Sequence, residues 1–327
     1  MQRVRAYLKS DFESVQGLME ESLDSDIALL NQANGDILSH SGKMLRPAIC
    51  LLIARACCAG VPAEAGTVWH YAAASELLHN ATLLHDAVAD NSAVRRGRPT
   101  VASILGPNAS VLLGDYWLVK AMDQILDSGN SSHRVMRIFA KTLSDLAEGE
   151  LFQLQKAALC DTSRDDYYRI IYSMTASLFE AAALSASIAA AAPPELEEAA
   201  RNYGVSLGMA FQIRDDILDY AGSEELGKPA GQDLLEKKIT LPLLGVLGKV
   251  DEARNRMVRQ MVCNIDAEPG NVEKIRSFVV GKGGVESAQE VLGEFVAKAR
   301  KALVAFPESE ARDLLDAIAG YVGVREV

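Results

Sequence analysis

Apolar residues recur along this chain at intervals of three and four, the spacing that places them on one face of an α-helix. No stretch shows the sustained alternation of apolar and polar residues that marks a half-buried strand. We therefore predict an all-α fold. The predicted helical segments are residues 44–59, 66–90, 109–127, 134–156, 167–192, 195–220 and 286–305.

Glycine and proline clusters interrupt the helical pattern and predict its turns. These breaks are Gly60 to Pro62, Gly97 to Pro99, Gly106-Pro107, Ser128 to Ser132, Pro193-Pro194 and Gly222 to Gly231. None is long enough to be an interdomain linker, so residues 1–327 are predicted to form a single domain. The glycine cluster at 281–284 follows no predicted strand, which favours a turn between helices over a phosphate-binding loop.

Composition and charge exclude several function classes. The 327 residues carry a formal net charge of -11, which argues against a general nucleic-acid or anionic-membrane surface. The N-terminal residues lack the pattern of a signal peptide, so we predict a cytoplasmic protein. The apolar stretch 181–194 is too short and too rich in Ala and Ser to span a bilayer and is predicted to be a core helix, with no integral membrane segment.

The cysteines predict no disulfide framework. There are five of them and none forms a CxxC pair. An odd number in a chain predicted to be cytoplasmic favours small buried apolar side chains over disulfides.

Two clusters of aspartates carry the candidate chemistry. Asp86 and Asp90 are four residues apart on a predicted helix, and His79 lies on the same face. Asp215 and Asp219 repeat this spacing, with Asp216 beside the first. Like charges one turn apart repel, so the two pairs suggest a cation, although two solvated acidic faces remain an alternative. Carboxylates without grouped His or Cys fit Mg²⁺ rather than zinc.

Basic residues accompany both clusters. Arginine forks match phosphate oxygens in geometry, and lysine supplies a mobile point charge. Carboxylates that hold Mg²⁺ beside several separate cations indicate a site for polyphosphorylated substrates. The basic residues concerned are Lys43, Arg46, Arg95, Arg96, Arg98, Lys228 and Lys238.

At this point the sequence resembles the trans-isoprenyl diphosphate synthases. The resemblance covers roughly residues 40–245 and follows the signature blocks of that family in order and spacing. The closest branch is the long-chain polyprenyl diphosphate synthases of bacteria, of the octaprenyl type. The matching segments are GKMLRP, LLHNATLLHDAVADNSAVRRGRPT, GDYWLVKA, EGELFQ, FQIRDDILDY and GKPAGQDLLEKKITLP.

The resemblance implies a fold, substrates and an assembly. The fold would be a single large orthogonal helix bundle around a central cavity, the isoprenoid synthase fold, usually found as a homodimer. The substrates would be isopentenyl diphosphate and an allylic diphosphate, and the cofactor would be Mg²⁺, with three ions when substrate is bound. The product would be a medium-chain or long-chain all-trans polyprenyl diphosphate.

The resemblance also implies roles for individual residues. Asp86 and Asp90 would hold two magnesium ions against the allylic diphosphate, and Asp215 a third. Asp219 would support Asp215 without binding the ion directly, and Asp216 would also lie in the substrate site. The binding site for the allylic diphosphate would be completed by Arg95, Lys228 and Lys238. The diphosphate of isopentenyl diphosphate would be bound by Lys43, Arg46, His79 and Arg96, and Gln212 would lie close to the reacting centre.

These residues suit the implied chemistry without a serine, cysteine or histidine nucleophile. Breaking the allylic carbon–oxygen bond releases a diphosphate anion, which magnesium and lysine stabilise in a dry cavity. The segment 222–231, punctuated by glycine and proline, is a candidate lid that would exclude water.

Two small residues bear on product length. Ala81 and Thr82 stand five and four positions before Asp86, where short-chain members of the family carry bulky aromatic residues. If these small residues leave the product tunnel open at this point, the products should be longer than a farnesyl chain. Small residues for close helix packing would explain either position equally well.

The chain departs from the family pattern at two positions and more mildly at Met44. Ala87 replaces an aspartate, and we expect it to be tolerated because a helical neighbour points about 100° away from Asp86. Met174 replaces a lysine that contacts the allylic diphosphate, so substrate affinity or turnover should suffer.

These departures keep two other functions open. One is a catalytically impaired regulatory subunit of a heteromeric prenyl diphosphate synthase, although the intact second aspartate cluster favours an active enzyme. The other is a terpene cyclase of related fold, which would need only one diphosphate site. The basic set at Lys43, Arg46, His79 and Arg96 favours two sites.

Overall fold

The computed structural model describes residues 1–40, 42–58, 65–95, 97–129, 132–221 and 230–323. Within these ranges the predicted all-α fold is confirmed. The first α-helices are α1 Gln2–Tyr7, α2 Lys9–Leu23, α3 Ala28–Leu38, α4 Leu45–Cys57, α5 Ala65–Ala89, α6 Val101–Leu105, α7 Pro107–Leu126 and α8 Ser132–Leu159. The later ones are α9 Arg164–Ile171, α10 Ser177–Ala189, α11 Pro194–Ala221, α12 Gln232–Leu235, α13 Leu241–Leu247, α14 Glu252–Cys263, α15 Asn271–Gly281, α16 Gly284–Leu303 and α17 Glu310–Gly323.

Two features were not predicted from the sequence. Two-residue strands, β1 Val94–Arg95 and β2 Arg98–Pro99, pair antiparallel in a small hairpin, and they are too short to show an alternating pattern. A π-helix, Tyr172–Ala176, joins α9 to α10, so that residues 164–189 form one continuous helix.

The predicted turns agree with the structure where it describes them. Gly106 adopts φ 88° before Pro107, the first residue of α7, where proline is favoured because its missing N–H has no helical partner. The glycine cluster at 281–284 joins α15 to α16 as a turn. The break at 60–62, and residues 222–229 of the candidate lid, lie outside the described residues.

The chain divides into two compact units, each assembled from separate stretches of sequence. The first unit comprises residues 1–140, 178–201 and 303–318. The second comprises residues 141–177, 202–302 and 319–327. A single domain over residues 1–327 stays a prediction.

The first unit is built around α5, which packs against α2, α4 and α7. Residues along α5 are buried on nearly every side, from Val68 through the run Tyr71–Leu78 to Leu84. A helix enclosed in this way presents polar side chains to solvent chiefly near its end, and that end carries the first aspartates.

The second unit contains most of α11 and residues 164–177 of the continuous helix before it. The apolar face of α11 buries Leu207, Ala210, Ile213, Ile217 and Tyr220, spaced three or four apart as the sequence pattern predicts. Ser163 begins α9 with a capping box, since its hydroxyl accepts from the N–H of Asp166 and that carboxylate accepts in return. The core of this unit therefore fixes the rotation of α11 and the polar face it presents.

One helical stretch within the described residues, Arg164–Ala189, is long and apolar enough to cross a membrane by length and composition. Its most apolar window is 89% buried inside the protein. Such burial is typical of a core helix, as predicted for the overlapping stretch 181–194.

The prediction that the cysteines form no disulfide is wrong for one pair. Cys160, directly after α8, is bonded to Cys263 at the end of α14, with Cα atoms 5.8 Å apart. Arg259 stabilises this region by donating hydrogen bonds to the C=O groups of Cys160 and Thr162, both at 3.0 Å. The two cysteines are 103 residues apart in sequence. The total number of cysteines carries no information about a pair so far apart.

Candidate active site

The first aspartate cluster, Asp86 and Asp90, lies at the C-terminal end of α5. Asp86 is half-buried, and Asp90 is exposed directly after the last helical residue. The N–H of Asp90 donates to the C=O of Asp86 at 2.8 Å, so the helical turn continues and both side chains share one face. Ala87 points the other way and is only 4% exposed.

The preceding turns of α5 carry the other predicted residues of this helix. His79 is half-buried, and its C=O accepts a hydrogen bond from the hydroxyl of Thr82 at 2.8 Å. Ala81 is fully buried. Close packing against α7 is visible at Gly114, where an added Cβ would lie 2.4 Å from Nε2 of His85. The alanine at position 81 is therefore compatible with tight helix packing as well as with an open product tunnel.

The basic residues of the first unit lie on three elements. Lys43 is exposed just before α4, and Arg46 is half-buried in the first turn of that helix. The guanidinium of Arg46 stacks 4.6 Å from the ring centroid of Phe179, which restrains its plane. Arg95 is exposed on β1. Met44 adopts a left-handed φ of 48° before α4.

Two predicted site residues, Arg96 and Lys228, lie outside the described residues. Their proposed contacts with diphosphate stay predictions.

The second aspartate cluster, Asp215, Asp216 and Asp219, lies near the C-terminal end of α11. Its members occupy three environments. Asp215 is exposed, Asp216 is 3% exposed and Asp219 is half-buried. Successive residues rotate by about 100° around a helix, so a single turn can present one carboxylate outward and hold the next inside.

The carboxylate of Asp216 is held from two sides. The hydroxyl of Tyr167 donates to Oδ2 at 2.5 Å, and Nε2 of Gln212 donates to Oδ1 at 2.9 Å. Burial raises the pKa of Asp216 to about 7, while these two hydrogen bonds lower it and the nearby charges of the other two aspartates raise it. This residue is therefore built into the protein interior.

Asp219 caps a short helix. Its carboxylate accepts the backbone N–H groups of Gln232 at 3.0 Å and Asp233 at 3.2 Å, and its C=O accepts the N–H of Gly231 at 3.0 Å. Burial raises the pKa of Asp219, and these backbone hydrogen bonds lower it. The side chain thus ties α11 to the start of α12.

The helix α12 and the residues after it add a half-buried acid, Asp233, and a lysine to this cluster. Lys238 is half-buried; its N–H donates to the C=O of Asp233 at 2.8 Å, and its Nζ lies 2.5 Å from Oε2 of Glu236. Burial raises the pKa of Asp233 well above its usual value, and the charges of Asp216 and Asp219 add to this effect. A cation bound nearby would favour the charged forms of these acids.

Sequence reasoning missed three residues of the second cluster. Asp233 stands inside the matched segment GKPAGQDLLEKKITLP, so that motif could have signalled it. Tyr167 and Thr175 carry no local motif, because their hydroxyl groups contact residues of α11 that are 49 and 37 positions away.

The donor set fits magnesium better than a preformed metal cage. Across the described ranges, no group of three or more His, Cys, Asp or Glu side chains is arranged to hold a metal ion. Structural zinc requires four such ligands, whereas Mg²⁺ keeps several waters and is bound by one or two carboxylates together with substrate phosphates. Asp86 and Asp90 in the first unit suit a site of the second kind, and so does Asp215 in the second unit.

Comparison with known proteins identifies what the chain resembles. Residues 27–279 match the sequence model of a family described as polyprenyl synthetase. The chain is 37% identical over 324 residues to the octaprenyl diphosphate synthase of Escherichia coli K12, covering 98% of this chain and 97% of that protein.

Two solved structures have closely similar folds. A decaprenyl diphosphate synthase from Rhodobacter capsulatus matches with a TM-score of 0.90 and 37% identity, over 99% of both chains. A polyprenyl synthase from Caulobacter crescentus, solved with calcium and isoprenyl diphosphate, matches with a TM-score of 0.90 and 31% identity, over 100% of this chain and 98% of the other.

Proposed function

Because this chain belongs to the polyprenyl synthetase family and is a prenyltransferase with the all-α isoprenoid synthase fold, we propose that it condenses isopentenyl diphosphate with an allylic diphosphate. The product is a medium-chain or long-chain all-trans polyprenyl diphosphate. The observation that carries this proposal is that both aspartate clusters lie within the family match, each with a carboxylate at the surface of its unit.

In the first unit, Asp86 and Asp90 bind magnesium together with the allylic diphosphate. Their shared face on the last turn of α5 supports this role, because two carboxylates there can bind hydrated Mg²⁺ without further protein ligands. Lys43, Arg46 and His79 bind the diphosphate of isopentenyl diphosphate, together with Arg96, and Arg95 contributes to the allylic clamp.

In the second unit, Asp215 is the magnesium ligand, and the other two aspartates support it without binding the metal themselves. This assignment is supported by the exposure of Asp215, whereas Asp216 is buried and Asp219 is half-buried. Lys238 and Lys228 add positive charge for the allylic diphosphate. Asp86, Asp90 and Asp215 would hold the magnesium ions, three by family resemblance, whose positive charge would make diphosphate a better leaving group.

The protein's own contribution to the reaction is to bind, orient and exclude water. The allylic carbon–oxygen bond breaks with its electron pair leaving on diphosphate, which cationic side chains stabilise. The double bond of isopentenyl diphosphate then supplies the electrons of the new carbon–carbon bond. A proton leaves the isopentenyl unit for the released diphosphate, so no side-chain base is needed. Gln212 lies beside the allylic substrate.

Chain elongation beyond farnesyl is proposed from Ala81 and Thr82. Neither side chain is bulky enough to block a growing prenyl chain. The names of the relatives, octaprenyl and decaprenyl diphosphate synthase, support a long product.

A homodimer is the proposed assembly, in the cytoplasm. Leu112, Val119 and Leu126 of α7 are 69%, 54% and 58% exposed and lie seven residues apart, which forms an apolar stripe. A seven-residue apolar repeat is typical of helices that pair with another helix. Sedimentation of the native chain and of Val119→Lys tests this assembly; a monomeric native protein would contradict it.

The alternative of an impaired regulatory subunit receives no support from the described residues, because the second cluster keeps all three aspartates and the first keeps Asp86 and Asp90. The family match likewise favours a synthase over a terpene cyclase.

The deciding experiment incubates the purified chain alone with Mg²⁺, labelled isopentenyl diphosphate and farnesyl or geranylgeranyl diphosphate, followed by mass analysis of the products. We expect long prenyl products that vanish in Asp86→Ala. No product from a folded protein that binds diphosphate would instead indicate an inactive partner subunit.

A further inference from the structure

A buried hydrogen-bonded network in the second unit joins three helical segments. Tyr167 of α9 donates to Asp216 of α11 at 2.5 Å. Gln212, one turn earlier on α11, donates to the same carboxylate at 2.9 Å. Thr175 of the π-helix donates to Oε1 of Gln212 at 2.8 Å. The carboxylate of Asp216 is the acceptor on which the network ends.

The π-helix sets the geometry of this network. Tyr167 and Thr175 are eight residues apart on one continuous helix, yet their partners are neighbours one turn apart on α11. Eight residues of regular α-helix rotate about 80° beyond two full turns, which would turn the second side chain away. A π-helical turn contains one additional residue, and so it returns Thr175 to the face of Tyr167.

Gly149 of α8 leaves room for this π-helix. A Cβ atom at position 149 would lie 2.6 Å from Cβ of Ser173 and 3.1 Å from Cγ of Met174. The first distance is shorter than any real contact between such atoms, so a side chain on α8 would displace the π-helix. The network thus depends on a glycine that takes no part in its hydrogen bonds.

We propose that Tyr167 is a positioning residue for prenyl transfer, acting through Asp216 to hold the amide of Gln212 in one orientation. Both ends of that amide have defined partners, since Nε2 donates to Asp216 and Oε1 accepts from Thr175. The inference rests on the proposed function, in which Gln212 contacts the allylic substrate. Tyr167 itself need not touch substrate.

Removal of the Tyr167 hydroxyl leaves one oxygen of a buried carboxylate without that donor. A buried acceptor that loses its partner is costly, so neighbouring donors rearrange to satisfy it. The amide of Gln212 is already bonded to the same carboxylate and is the group placed to rotate. The allylic substrate then meets Gln212 in the wrong orientation.

The test compares Tyr167→Phe with Tyr168→Phe. Tyr168 is the matched control, because it lies on the same helix but packs against Phe295 and is not part of the network. For Tyr167→Phe we expect kcat to fall about 10-fold, as for loss of a hydrogen bond to a charged group, with KM for isopentenyl diphosphate within about 2-fold. Calorimetry with Mg²⁺ and an unreactive allylic diphosphate analogue should show a similar loss of affinity. Tyr168→Phe should match the native protein in both assays.

Two further variants separate positioning from general stability. In an Asp216→Asn background, Tyr167→Phe should lower kcat further by less than about 2-fold, since the two residues act as one unit. Gly149→Ala should give the same selective loss toward the allylic substrate by displacing the π-helix, and it serves if Tyr167→Phe does not fold.

The outcomes distinguish this inference from the proposed function. A native protein that makes no product overturns the function, and calorimetry then decides whether Tyr167 still governs allylic binding. If the native protein is active, equal activity in Tyr167→Phe overturns the positioning role alone. Equal losses toward both substrates, or fully additive losses with Asp216→Asn, also overturn it.

Discussion

The position directly after the first aspartate of each cluster, here called the middle position, is Ala87 in the first cluster and Asp216 in the second. Both side chains nevertheless point into their own unit. Ala87 is 4% exposed and Asp216 is 3% exposed. Asp216 is hydrogen-bonded by Tyr167 and Gln212, whereas Ala87 is apolar and needs no partner. A buried carboxylate is stable only when it is hydrogen-bonded, so the interior around each cluster determines which residue is tolerated there.

The largest effect expected from this comparison lies within the second cluster. Asp215→Ala should lower turnover by on the order of 10³-fold, because a magnesium ligand for the leaving diphosphate is lost, with little change in the unfolding midpoint. Asp219→Ala should instead lower the free energy of unfolding by about 1 kcal/mol, since it removes the cap of α12, and reduce turnover less.

Steady-state kinetics and thermal unfolding of both variants measure these effects. If Asp219→Ala lost more activity than Asp215→Ala at unchanged stability, Asp219 would be the metal ligand and the assignment would be reversed.

The two units also differ in their cysteines. The second contains the bonded pair Cys160–Cys263, whereas Cys50, Cys57 and Cys58 of the first are free. Closing a loop across a separation of 103 residues stabilises the oxidised protein by about 2–4 kcal/mol. Chemical denaturation of oxidised protein, with and without a thiol reductant, should show this difference.

Cys57→Ser is the matched control and should keep the response to reductant, whereas Cys160→Ser should abolish it. A reducing cytoplasm would hold the pair as thiols, so the effect belongs to oxidised protein. Equal unfolding free energies with and without reductant would contradict the stabilising role of this bond.

The sequence predicted local features well and long-range contacts poorly. The helix α5 was predicted at 66–90 and is observed at Ala65–Ala89, because helical periodicity is a property of neighbouring residues. That Ala87 points away from Asp86 followed from helix geometry alone. The partners of Asp216 did not, since the hydroxyl of Tyr167 lies 49 residues away in sequence. The prediction that the cysteines form no disulfide was wrong for the same reason, since Cys160 and Cys263 are 103 residues apart.

The difference between the two middle positions predicts how stability changes when each position receives the residue type of the other. Ala87→Asp should lower the free energy of unfolding by about 1–3 kcal/mol, because it buries a carboxylate in a place occupied by a methyl group. Asp216→Ala should cost a similar amount, since it leaves the buried hydroxyl of Tyr167 without its acceptor. Chemical denaturation of both variants measures these costs.

Ala87→Asp should leave turnover within about 2-fold of the native value, since a carboxylate there points away from Asp86. A large gain in turnover would show that the alanine limits the enzyme. It would also contradict the view that the two middle positions are interior residues.

The smallest effect concerns Met174, which is half-buried in the π-helix of the second unit. A thioether cannot neutralise phosphate, whereas a lysine can extend its ammonium group past apolar neighbours into solvent. Met174→Lys should therefore raise turnover, or lower KM for the allylic diphosphate, by about 3-fold to 10-fold, roughly 1 kcal/mol of added charge interaction near a surface. Met174→Gln, of similar length but neutral, is the control and should change neither parameter. An unchanged or lower rate in a folded Met174→Lys variant would show that the second cluster already has all the positive charge it can use, and that this departure from the family, like Ala87 in the first cluster, is neutral.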